Sequence, residues 1–161
     1  MRKFFALLIV IGITGSLFIS SSQTYEQQSL IPTLENLLPS KPFEDELSKL
    51  SIPYWDSTIS VEERGYYLFI EFLLRKSAHF VLFGLLAAVI FLSLPSRFPR
   101  FITAFSITLL IAGADETHQY FTGGRTATIR DVILDMSGAL FFLLLAQSVS
   151  LIRSRKKERL F

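Results

Sequence analysis

Three short runs of this sequence hold residues that could do chemistry. "RKSAHF" carries Arg75, Lys76 and His79; "DETHQYF" carries Asp115, Glu116, His118 and Gln119; and "GRTATIRDVILD" carries Arg125, Arg130, Asp131 and Asp135. Imidazole and carboxylate groups are the common carriers of protons in catalysis, which makes His79 and Glu116 the candidate catalytic groups. Lys76 and Arg125 can donate charge-assisted hydrogen bonds to a phosphate or carboxylate. Asp115, Glu116 and Gln119 can accept amide donors, and Asp131 and Asp135 add two more carboxylates. The candidate ligand-binding set is therefore Lys76, His79, Asp115, Glu116, Gln119, Arg125, Asp131 and Asp135. Two histidines and several carboxylates could hold a divalent ion, yet no compact pattern such as His-Glu-x-x-His occurs. No metal and no cofactor is expected. The chain has no cysteine, which excludes disulfides, thiol nucleophiles and thiolate metal sites.

Each of these groups also has a plain structural explanation. Lys76 can snorkel to lipid headgroups, and Arg75 can act as an interfacial anchor. His79 can serve as an interhelical hydrogen-bonding group. Asp115 and Gln119 share one helix face, whereas Glu116 points about 100° away, so the two acids need not address one ligand. Asp115 can pair with Lys76 or Arg125, and His118 by itself reads as a surface or interfacial residue. The Gly123-Gly124 pair allows a tight turn that presents Arg125. Thr128 followed by Asp131 forms a capping-box pattern, which accounts for Asp131. Asp135 has no such explanation. It lies one turn deeper among Val, Ile, Leu and Met, where a carboxylate costs about 2.5–3.5 kcal/mol near a bilayer centre and less near the interface.

The elements that must position these groups are membrane helices. Half of the 161 residues are hydrophobic, 16 of them Phe. They fall in blocks near the 17–25 residues that a span requires, at approximately 4–20, 77–94, 101–119 and 132–152. The first block follows Arg2 and Lys3 and could be a signal peptide, but "ISSSQ" is a poor cleavage site, so a retained anchor is expected. The expected fold is all-α, with four transmembrane helices and a long external loop, 21–74, carrying short interfacial helices. Arg2, Lys3, Arg97, Arg100 and the "RSRKKER" tail fall on one side of this arrangement, while 13 of the 14 acidic residues fall on the other. Both termini are then cytoplasmic in a multi-pass protein of the cell membrane. Arg75 and Lys76 dissent and require a local reason.

Within the loop, Pro32, Pro39, Pro42 and Pro53 limit the chain to short helical pieces. Leu34, Leu37 and Leu38, then Leu47 and Leu50, form faces that could rest on the membrane or cover the bundle. "SVEE" reads as a capping box at Ser60. An unbroken helix from Ser60 to Leu94 would measure about 50 Å, longer than a hydrocarbon core of about 30 Å, and would need to bend, with Arg75 the expected place.

The motifs resemble those of the VanZ-like family of small bacterial membrane proteins. The resemblance rests on Lys76, His79 and Phe80; on Asp115, Glu116, Gln119 and Phe121; and on Gly124, Arg125, Asp131 and Gly138, with "SSSQ" after the first span. Gly123 departs from the proline common before the Gly-Arg pair. The resemblance implies an integral membrane protein, and the family's namesake is associated with low-level teicoplanin resistance, but it supplies no reaction. Three functions compete. The first is a site for a cell-envelope ligand, either a wall-precursor lipid or a glycopeptide antibiotic. The second is a membrane-embedded hydrolase or transferase acting on an envelope lipid. The third is a structural partner of wall-synthesis machinery. A nucleic-acid role is excluded by the membrane pattern; a membrane lipid or lipid-linked ligand is the expected partner.

Overall fold

A computed structural model describes residues 1–54, 57–95, 99–122 and 128–158. The chain is mostly helical, and among the described residues three helices are long and apolar enough to cross a membrane: Phe4–Ser21, Tyr66–Ser93 and Ile129–Lys156. In chain order the elements are α1 (Arg2–Ser21), α2 (Ile31–Leu37), α3 (Glu44–Leu47), β1 (Ile52–Tyr54), β2 (Ser57–Ile59), α4 (Val61–Arg64), α5 (Tyr66–Ser93), α6 (Arg100–Thr122) and α7 (Ile129–Glu158). The apolar blocks read from the sequence thus become α1, α5, α6 and α7. With 23 residues α6 is long, but its last two turns hold Asp115, Glu116, His118 and Gln119, which lower its hydropathy.

The chain divides into two compact units. One comprises residues 1–24 and 78–161, the other residues 25–77, so α5 contributes to both. In the first unit, Phe83, Leu86, Ala87, Ile90 and Phe91 of α5 pack with Ala104 and Ala112 of α6, Met136, Ala139 and Leu143 of α7, and Leu17 of α1. Small residues set the closest approaches. A Cβ on Gly138 would lie 2.1 Å from the carbonyl oxygen of Phe80, so α7 rests on the α5 backbone where only glycine fits. One turn on, Gly84 of α5 faces the ring of Phe142. The exposed side chains of α1 and α7 are large and apolar, as for helices solvated by lipid: Phe4, Leu7, Leu8 and Ile11, then Ile133, Leu140, Leu144 and Leu151.

Residues 25–77 have a core of their own. Ile59, Val61, Tyr66 and Phe69 are buried, and Leu38, Leu47, Ile52 and Tyr54 pack against them. The prolines do confine the helices to short pieces, but the segment also contains a hairpin that its sequence did not announce. β1 and β2 run antiparallel with Ile52 opposite Ile59, Pro53 opposite Thr58 and Tyr54 opposite Ser57. Pro53 is tolerated because each strand of a two-stranded sheet has a free edge. Of the leucine faces, Leu38 and Leu47 turn into this core, whereas Leu37 and Leu50 are exposed.

Ser60 caps α4 as its sequence indicates, its hydroxyl accepting from the Glu63 N–H at 3.2 Å. The expected unbroken helix from Ser60 is corrected at Gly65. There φ is +83°, which ends α4 after one turn and starts α5 afresh at Tyr66. The break therefore falls at Gly65 and not at Arg75. The start of α5 is tied down by the Tyr66 hydroxyl donating to the Pro42 carbonyl at 2.9 Å and by that of Tyr67 donating to the Leu38 carbonyl at 3.1 Å.

A candidate polar site at one end of three helices

Asp135 is the most constrained of the candidate residues. It sits one turn before Gly138, on the side of α7 that contacts α5. The same close crossing sets it against His79, which immediately precedes Phe80. Asp135 is 0% exposed, and its Oδ1 lies 3.4 Å from His79 Nδ1. That separation is long for a strong hydrogen bond. Neither carboxylate oxygen has a hydrogen bond among the described residues. The His79 ring also lies 6.0 Å from the ring of Phe83, one turn along α5. Buried polar atoms are otherwise almost always partnered, so this carboxylate demands an explanation.

The two acids of α6 go separate ways, as their helical positions require. Asp115 Oδ2 accepts from Gln119 Nε2 at 2.8 Å, along the shared face. Glu116 reaches α7, where its Oε2 accepts from the backbone N–H of Thr128 at 2.9 Å. A carboxylate at this position satisfies one of the open N–H groups of a helix start and faces the positive end of the helix dipole. The Thr128 hydroxyl accepts from the Asp131 N–H at 3.2 Å, completing the cap read from the sequence. Asp115, Glu116 and Asp135 are buried. Asp115 and Glu116 lie in the last two turns of α6, and Asp131 and Asp135 in the first two turns of α7. Four carboxylates therefore share one end of the α5–α6–α7 assembly, with His79 beside the deepest of them. No set of three or more His, Asp or Glu residues arranged to hold a metal occurs among the described residues.

Lys76 and Arg75 make contacts within the 25–77 unit. Lys76 belongs to the 25–77 unit, where its ammonium lies 4.9 Å from the ring centre of Tyr54 and 5.7 Å from that of Phe72. Arg125 lies outside the described residues. Arg75 has the local reason its position demanded: it pairs with the buried Glu71, donates from Nη1 to Gln28 Oε1 at 2.8 Å and from Nη2 to the Gln28 carbonyl at 2.8 Å, and lies over the ring of Tyr25. The Glu71–Arg75 spacing of four residues was legible as a helical ion pair, but Gln28 was not.

His118 is not a plain surface residue. Its ring stacks on Phe18 at 4.5 Å, and its Nδ1 lies 2.8 Å from the hydroxyl of buried Ser21. Thr122 donates to the Ser21 carbonyl at 2.9 Å. Ser21 and Thr122, neither singled out as a site residue, fasten the end of α1 to the end of α6. The run of serines after the first span was the only trace of this joint in the sequence.

The arrangement can be compared with known protein families. The VanZ/LLP1 family model matches residues 4–152, a range that includes every residue of this polar end. The chain belongs to the VanZ/LLP1 family. No curated protein and no solved structure matches it. Gly138 and Glu116 of this VanZ/LLP1 chain hold helices in place, whereas neither oxygen of buried Asp135 has a hydrogen bond among the described residues.

Proposed function

We propose that the chain crosses the membrane four times, with both termini in the cytoplasm, and that the polar end of α5, α6 and α7 is an outward-facing site for a cell-envelope ligand. The ligand is a lipid-linked wall precursor or a glycopeptide antibiotic, and its capture contributes to teicoplanin-type resistance. The observation that carries this reading is Asp135, wholly buried with no hydrogen bond to either oxygen among the described residues. A carboxylate serving only to hold the bundle would be satisfied by its neighbours. The amide and ammonium donors of an envelope ligand would satisfy it instead. The fourth span is α6, whose Asp115, Glu116 and Gln119 are buried and so kept from lipid. Arg100, Arg153, Arg155 and Lys156, at the opposite ends of α6 and α7, favour the cytoplasmic side there. Residues 25–77, which join α1 to α5, then lie outside.

A second reading, a hydrolase or transferase acting on an envelope lipid, is favoured by one observation, the 3.4 Å approach of His79 to Asp135. The carboxylate would orient the imidazole, and the imidazole would move the proton. Glu116 suits that task less well, because one of its oxygens already holds Thr128. The test is teicoplanin susceptibility of a host expressing the protein beside Asp115→Asn and Arg125→Gln variants inserted at equal levels. Protection by the native protein that both variants lose supports the ligand site. Absence of protection contradicts the resistance role, and turnover of an envelope lipid abolished in His79→Gln supports the second reading.

A further inference from the structure

Arg100 stands where α5, α6 and α7 meet at the end opposite Asp135. It opens α6 and is half-buried. Its guanidinium carbon lies 4.7 Å from the ring centre of Phe91, a buried residue of α5. Its Nη2 donates to the Ser150 hydroxyl of α7 at 3.4 Å, which is a long bond. No carboxylate forms an ion pair with it among the described residues. A guanidinium has five donors, so most of its capacity is left open. Arg153 follows Ser150 by three residues, shares its face of α7 and is exposed. In the sequence, Glu158 is the only acid within residues 95–101 and 151–161, so this end is positive as a whole. The helix α7 has 30 residues and is about 45 Å long, against a hydrocarbon core of about 30 Å, which brings the turn from Ser150 to Arg153 to head-group level.

We infer that Arg100 and Arg153 bind the phosphate of an anionic phospholipid in the leaflet at this end. A cation drawn partly out of water without a counter-charge calls for an anion. The planar guanidinium fits two phosphate oxygens at once, and basic pockets between membrane helices are where acidic head groups bind. The neighbouring surface selects an anion that carries chains. Leu92, next to Phe91, and Val149 and Ile152, on either side of Ser150, are apolar and exposed, as residues that meet lipid are. A zwitterionic head group brings its own cation and would leave the two arginines less well compensated. The inference concerns the opposite end of the helices from Asp135 and is independent of the ligand proposed there.

The test uses full-length protein in neutral maltoside micelles, titrated with dioleoyl phosphatidylglycerol or dioleoyl phosphatidylcholine, with bound lipid read by native mass spectrometry. The anionic lipid is expected to bind about tenfold more tightly, the size of one charge-assisted contact. Arg100→Gln and Arg153→Gln should each remove most of that preference. Arg155→Gln removes an equal charge from a face of α7 turned about 140° from Ser150 and should keep it. Equal binding of the two lipids by the native protein overturns the inference. A preference that survives both Arg100→Gln and Arg153→Gln overturns it too. One that falls equally in all three variants reports a diffuse basic surface and also counts against the site. Displacement of the bound lipid by an equal concentration of inorganic phosphate would assign the arginines to a free anion and overturn the lipid reading.

Discussion

Gly138→Ala is the substitution with the most to say about how the site is held. A methyl group there would start 2.1 Å from the Phe80 carbonyl oxygen. The obstacle is backbone, so no rotamer change can relieve it, and α5 and α7 must separate by roughly 1 Å or more to restore an ordinary contact. Overpacking of this kind costs about 1–3 kcal/mol. A loss near 2 kcal/mol would lower the melting temperature by roughly 4–8 °C for a chain of this size. The same displacement would carry His79 away from Asp135, whose present separation is 3.4 Å. The assay is thermal unfolding of purified protein in detergent, beside Gly15→Ala. Nothing lies within 4 Å of a Cβ built on Gly15, so that variant should melt within about 0.5 kcal/mol of the parent. If Gly138→Ala melts like Gly15→Ala, the account of the α5–α7 crossing is refuted.

Two further substitutions separate capping and charge from packing. Glu116→Gln keeps an acceptor for the Thr128 N–H and should change stability little, whereas Glu116→Ala should cost about 1–3 kcal/mol and lower amide protection at the start of α7, both readable by hydrogen exchange. In the other unit, Arg75→Ala leaves buried Glu71 without its cation and should destabilise by about 3–5 kcal/mol in chemical unfolding; the double variant Glu71→Leu with Arg75→Met should recover much of that loss.

The sequence made the helices legible because each long helix is an apolar block bounded by charge, and the caps at Ser60 and Thr128 legible because capping is local chemistry. It did not reveal the hairpin at Ile52–Ile59, whose strands of three residues are too short to alternate recognisably and include a proline. Gly65 stands in "VEERGYY" where a helix C-terminus would want it, yet a lone glycine can also sit inside a helix, and only its φ of +83° shows the break. The same distinction runs through the polar end. Asp115 with Gln119, and Asp131 with Thr128, follow from helical spacing. Glu116 with Thr128, His118 with Ser21 and Arg75 with Gln28 join residues from different elements, and spacing along one helix carries no information about them. Asp135 was conspicuous for an energetic reason, a carboxylate without a local partner in an apolar run, and in the folded chain it is buried against His79.

The central claim is that Asp135 is buried to meet a ligand and not to hold the bundle. The direct measurement is binding of a lipid-linked wall precursor to purified Asp135→Asn and native protein, each with its melting temperature recorded. Replacing a buried carboxyl group that has no hydrogen bond among the described residues should leave the melting temperature equal or higher, while affinity should fall about tenfold or more. An Asp135→Asn protein that unfolds readily, or one that binds the precursor as tightly as the native chain, would contradict the account.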